Sequence, residues 1–163
     1  MGSRIKKTYI CRDVTSEHIN SAADLSYKPK VGDVGIFEVI KLGKHKNMQC
    51  DTKRNVTILP GDSITAAFGT RYATEQFEGY VPEDCNRELH ILGAGGTVGI
   101  IESMHDKYTD IGPTTLRFSG TVTDDQEQVI NTKAMYRQQL TKFSGKAAMK
   151  TKVILSVGSS MDS

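Results

Sequence analysis

Two Gly-Asp turns, at Val31-Gly32-Asp33 and Leu59-Pro60-Gly61-Asp62, each lead directly into an apolar strand, and this repeated device narrows the choice of fold more than any other feature. Glycine supplies a backbone conformation that other residues resist, and aspartate caps the turn, a pairing that suits the corners of small β-barrels. Residues 34–42 and 63–69, which follow the two turns, are rich in β-branched and aromatic side chains. Further strands are expected at 55–59, 88–92, 97–103, 114–122 and 128–132. Strands at spacings of roughly 8–12 residues argue for a mainly β fold, a small β-barrel-like or β-sandwich domain with short helices. The helical signals are short: residues 16–25, opened by Ser16 as an N-cap, and residues 134–140.

With 163 residues, the chain has the size of one domain or of two small ones. A hydrophobic share of 37%, with 15 glycines and 25% charged residues, excludes a disordered chain, a collagen-like chain and a coiled coil. Twenty-one basic against 19 acidic residues leave a net charge of only +2, which argues against a nucleic-acid partner, because that asks for a clustered basic face. No apolar run approaches the ~20 residues of a membrane-spanning helix, so no membrane partner is expected. The basic N-terminus (Arg4, Lys6, Lys7) runs into Cys11-Arg12-Asp13, not into the apolar stretch of a secretory signal. Cys11, Cys50 and Cys85 are odd in number and far apart, which fits reduced thiols and a cytoplasmic chain better than a disulfide framework. No Cys-x-x-Cys spacing occurs, and His18, His45, His90 and His105 form no paired ligand motif, so no metal site is expected.

Composition divides the chain into a polar segment (1–30), a β domain (31–133), a linker (134–152) that is basic from residue 141 onward, and a last piece (153–163). In that last piece, Val153-Ile154-Leu155-Ser156-Val157 reads as the continuous apolar run of a buried parallel strand. The following Gly158-Ser159-Ser160-Met161-Asp162-Ser163 resembles the entry to a P-loop of the dethiobiotin-synthetase-like type. There a Gly-rich loop closes with Gly-Lys-Thr, and its backbone N–H groups cradle phosphate. A strand with a solvated, serine-rich tail is the alternative reading. Gly61-Asp62-Ser63-Ile64, the run from Gly69 through Arg71-Tyr72 to Val81-Pro82, Leu92-Gly93-Ala94-Gly95-Gly96-Thr97-Val98-Gly99 and Gly112-Pro113-Thr114-Thr115-Leu116 carry the resemblance further. Over residues 30–163 the chain is similar to the N-terminal β-rich half of largely uncharacterised bacterial P-loop proteins. That resemblance implies a non-catalytic accessory domain beside a nucleotide-binding domain. ATP or GTP with Mg²⁺ would then belong to a full-length parent, with Gly158, Ser159, Ser160, Asp162 and Ser163 in the cofactor-binding loop and no cofactor held by this chain alone.

Residues 71–80 form the segment densest in binding chemistry and read as a rim loop. Arg71, Tyr72, Glu75 and Glu78, with Gly95 and Gly96 allowing close approach, are the candidate ligand-binding residues. Arg71 would make bidentate bonds to a small anionic or hydroxylated ligand, with a tyrosine as wall. In the competing reading Arg71 pairs with Glu75 or Glu78 and merely fastens the loop. The glycines at 93–99 invite a dinucleotide reading, but Val98 stands where the fingerprint needs its third glycine. A glycine-lined bend between strands is the simpler expectation. Lys41, Lys44, His45, Lys46 and Lys53-Arg54 form a basic cluster, read either as a solvated hairpin or as a polyphosphate contact. No serine or cysteine sits in a nucleophile elbow, so no catalytic residue is assigned. Two further readings stay open: a small enzyme with its site around Arg71, Glu75, His90 and His105, and a structural domain for homo-oligomer assembly. The expected partner is a neighbouring P-loop domain or a small anionic ligand.

Overall fold

The structure is a computed structural model that describes residues 5–15, 18–19, 24–73 and 76–139. It is mainly β, as the strand-and-turn pattern implies, with one short α-helix and two 3₁₀ turns among the described residues. Five strands carry the frame: β3 (Val34–Lys41), β6 (Ser63–Phe68), β9 (Leu89–Gly93), β10 (Thr97–Met104) and β11 (Thr115–Thr123). β6, β3, β11, β9 and β10 pair in that order, each antiparallel to the next. The first half of β10 then returns to β6 in parallel register, Thr97 opposite Ala67 and Val98 opposite Phe68, so the sheet closes partly into a ring. β1 (Lys6–Lys7) pairs in parallel with β6. β4 (Asn47–Gln49) and β5 (Asn55–Thr57) form a separate hairpin.

The two Gly-Asp turns brace the β3–β6 pair from both ends. In each, the aspartate N–H donates to the carbonyl three residues back, Lys30 or Leu59, at 3.0 Å. In each, the aspartate Oδ2 accepts the N–H of that same residue, at 2.8 Å from Lys30 and 2.7 Å from Leu59. Gly32 and Gly61 hold φ of +96° and +88°, the value a type II turn demands at its third position. Each turn also clasps the far end of the opposite strand. Gly32 N–H donates to the Phe68 carbonyl and Phe68 N–H to the Asp33 carbonyl; Gly61 N–H donates to Val39 and Val39 N–H to Asp62. The two halves are thus related by a local two-fold about the Ile36–Thr65 pair, with Asp33 answering to Asp62.

Strand alternation sorts the core. On β3, Phe37 and Val39 enter one cluster with Ile64, Ala66 and Phe68 of β6, while Val34 and Ile36 enter a second with Ala67, Cys11 and Val122. Both faces of β3 are therefore buried, which explains its almost continuous apolar sequence. Phe37, Phe68 and Phe118 meet in a triangle with ring centroids 5.2–6.0 Å apart. This is the tilted and edge-on packing that aromatic quadrupoles favour.

Three local expectations differ from what is seen. Within residues 16–25, His18–Ile19 form a strand, β2, paired with Val122 and Thr123, because β11 runs past the end of its pairing with β3 and leaves backbone groups to satisfy. Residues 128–132 contribute only the bridges Thr123–Val129 and Asp33–Asn131. There Asn131 takes another role: its Oδ1 accepts Ala134 N–H and its Nδ2 donates to Asp33 and Val31, capping helix α1 (Thr132–Gln139) against the first turn. Residues 71–80, read as a loop, contain two strands, β7 (Arg71–Tyr72) and β8 (Phe77–Tyr80). The apolar run 153–157 and residues Gly158, Ser159, Ser160, Asp162 and Ser163 lie outside the described residues.

A Cβ on Gly61 would meet nothing within 4 Å, so Gly61→Ala isolates the backbone strain of its positive φ. It should cost about 1–2 kcal/mol, read as a shift in denaturant midpoint with unchanged slope. Asp33→Ala should cost more, about 2–4 kcal/mol, because Asp33 is buried and accepts from Tyr27, Lys30 and Asn131.

Candidate functional site

Beyond the ring, the second half of β10 leaves β9 and pairs with β8, which in turn pairs with β7, forming a three-stranded wing. Register places Tyr72 opposite Glu78 and Glu78 opposite Ser103 across the three strands. A bulge between Ile101 and Ser103 brings that serine into line. Where these side chains meet the 3₁₀ turn η2 (Asp106–Tyr108), an open recess of about 270 Å³ forms, lined by Tyr72, Ala73, Gln76, Phe77, Glu78, Ser103, Met104 and His105.

Most polar groups of this recess are already oriented. Tyr80 O–H donates to Glu78 Oε1 at 2.5 Å, and Ser103 O–H donates to Glu78 Oε2 at 3.1 Å. The negative charge beside it raises the Tyr80 phenol above its ordinary pKa, mainly through that hydrogen bond. His105 caps η2, its Nδ1 accepting Lys107 N–H at 3.2 Å, which leaves the ring proton on Nε2. Gln76 Oε1 accepts from Arg71 Nη2 at 3.3 Å, so its amide NH₂ is the end left for other partners. Tyr72 stands 79% exposed at the edge.

The structure divides the residues that the sequence groups together. Arg71 and Tyr72 are neighbours on a strand and point to opposite faces. Arg71 lies opposite Gly79, on the core side, and its Nη1 occupies the space where a side chain on Gly93 would be. Among the described residues no carboxylate pairs with Arg71, and Glu78 bonds Tyr80 and Ser103 instead. Glu75 lies outside the described residues. Gly95 and Gly96 are in the β9–β10 turn and receive the N-terminal segment: Ile10 N–H donates to the Gly95 carbonyl, and a Cβ on Gly96 would strike Thr8. The glycine-rich stretch is accordingly a tight strand-to-strand turn that seats a neighbouring backbone. His90, on β9, accepts Ile101 N–H through Nδ1 and does not line the recess that holds His105. Sequence reasoning missed Ser103 and Gln76 as site residues, because only the β8–β10 register and the Arg71 contact reveal them.

On the core side of the wing, buried Phe77 is wrapped by His45, Tyr108 and Lys44. The His45 ring meets it edge-on at 5.6 Å and Tyr108 at 5.8 Å, while Lys44 Nζ sits 4.0 Å from the Tyr108 centroid. Cation–π contacts of this kind contribute about 0.5–1 kcal/mol when exposed. Burial, then the nearby charges of Lys44 and Arg71, push His45 down to about 4 against a weaker opposing bond to the Ile91 backbone. Lys44 and His45 of the basic cluster therefore brace the wing, whereas Lys53 and Arg54 stand exposed at the β4–β5 turn.

Among the described residues no group of three His, Cys, Asp or Glu side chains is placed to hold a metal ion, and no helix is long and apolar enough to cross a membrane. No protein-family model matches the chain, nor does any curated protein or solved structure. The chemistry of the recess is therefore read from its own side chains.

His45 gives a pH signature. Neutral in the fold and ordinary when unfolded, it contributes stability that is complete above about pH 6.5 and declines as pH falls toward 4, because the unfolded chain then binds the extra proton. The loss should reach about 2–3 kcal/mol. Denaturant melts of wild type and His45→Gln between pH 7 and pH 4.5 should converge as the pH falls; parallel curves would contradict the assignment.

Proposed function

We propose that the chain is a non-catalytic, ligand-binding β domain, barrel-like in its frame, that accompanies a P-loop nucleotide-binding body in the cytoplasm. The observation that carries the binding reading is the wing recess, where Glu78, Gln76 and His105 are each held by a second partner and present a free polar end. Side chains fixed before a ligand arrives lose little entropy when it binds. The link to a nucleotide-binding body rests on the sequence alone, on the strand-like run at 153–157 and the Gly-Ser-Ser start that follows it.

The geometry favours binding over catalysis. Ser103 is the aliphatic hydroxyl of the recess, and its proton goes straight to the Glu78 carboxylate with no imidazole between them. In hydrolases of the triad type a histidine takes the serine proton, and the carboxylate only orients that histidine. His105 turns its Nδ1 to its own backbone turn, not to Ser103 or Glu78.

Residues 1–163 contain no Gly-Lys-Thr or Gly-Lys-Ser, whose lysine and hydroxyl stabilise transferring phosphate and hold Mg²⁺, so this span alone should turn over neither ATP nor GTP. Phosphate release above a buffer control, persisting after a second chromatographic step and co-eluting with the chain, would overturn the non-catalytic reading.

A further inference from the structure

We infer that the wing recess takes a neutral, polyhydroxylated ligand, a sugar or cyclic polyol, rather than an anion; this rests on the ligand-binding reading given above. Among its described lining residues the only fixed formal charge is the Glu78 carboxylate, so an anion entering the recess would meet a like charge at close range. The guanidinium that an anionic ligand would need belongs to Arg71, which does not line the recess: its Nη1 lies against Gly93 and its Nη2 is taken up by Gln76 Oε1.

What the recess offers instead is an array of acceptors and donors matched to hydroxyl groups. Each Glu78 oxygen receives one internal O–H, from Tyr80 or Ser103, and keeps lone pairs for another. Ser103, having donated its proton, accepts. Gln76 presents NH₂ because Arg71 holds its carbonyl end, and His105 presents Nε2–H because Lys107 N–H holds its Nδ1. A sugar hydroxyl both donates and accepts, so vicinal hydroxyls can bridge Glu78 to Gln76 or His105. The exposed Tyr72 ring at the edge supplies an apolar face for the C–H side of a pyranose ring. Arg71 is then a positioning residue: it touches no ligand and fixes which end of Gln76 faces the recess.

Saturation-transfer NMR on the whole chain tests this, with one sample holding glucose, galactose, N-acetylglucosamine and myo-inositol and a second holding inorganic phosphate and citrate. The expected result is transfer to at least one polyol, with affinity reduced about tenfold by Glu78→Gln and by Tyr72→Ala while the melting temperature stays within a few degrees. Arg71→Ala should weaken the same polyol, and Arg71→Lys, which can still donate to Gln76, should restore most of the loss. A loss caused only by unfolding would not be restored. Transfer to phosphate or citrate without any polyol would overturn the ligand class and leave the binding role standing. Transfer to neither set by a folded protein would overturn both the ligand class and the recess as a binding site.

Discussion

The reciprocal clasp between the two Gly-Asp turns and the β3–β6 pair is the constraint on which the rest of the structure depends. Each turn ends one strand's approach and holds the far end of the other through a pair of backbone hydrogen bonds, so register, length and crossing of the two strands are set together. With that pair fixed, Phe37 and Phe68 face the same side and Phe118 completes the triangle from β11. The first turn has a second duty. Asp33 collects Tyr27, Lys30 and Asn131, and Asn131 in turn caps α1, tying segments from both ends of the described chain to one buried carboxylate. Asp62 is less burdened and more exposed, bonding Leu59 and Lys6.

The wing inherits its position from this frame through a single strand. β10 spends its first residues in the ring, beside β6 and β9, and its last residues pairing with β8. Because successive side chains on β7 point to opposite faces, the hairpin separates two chemistries. Arg71 joins the Lys44, His45 and Phe77 group that packs the wing down, while Tyr72, Glu78 and Ser103 form the outer recess. Among the described residues these core-side cations meet aromatic faces and a glutamine oxygen: Lys44 Nζ lies over Phe77 and Tyr108, and Arg71 donates to Gln76.

The frame was legible because its signals are local. Pro-Gly-Asp and Val-Gly-Asp specify turn geometry within four residues, and the β-branched runs after them need little tertiary help to become strands. A barrel-like fold was one of the two expected forms, but which strands close the ring was not legible, because the parallel pairing of β6 with β10 has no signature in either strand taken alone. The hairpin at 71–80 hid for a different reason: its strands are short and carry Arg, Tyr, Glu and Gly in place of an apolar alternation. That segment was still recognised as rich in binding chemistry, but its members were read as one cluster where the pleat divides them. His18–Ile19 was masked in turn by an N-cap pattern at Ser16, a local cue outweighed by the open edge of β11.

The parallel pairing that closes the ring also shapes how the chain can reach this state. Everything between β6 and β10, the whole wing hairpin and β9 included, must be looped out or folded before Ala67 can meet Thr97. The entropy of that loop is lost before the pairing returns any enthalpy, so closure belongs late in folding. Until then β6 offers its open edge to any strand within reach. The braced β3–β6 pair, formed from neighbouring sequence, is the natural early nucleus, and the slow step is the arrival of β10 at its flank.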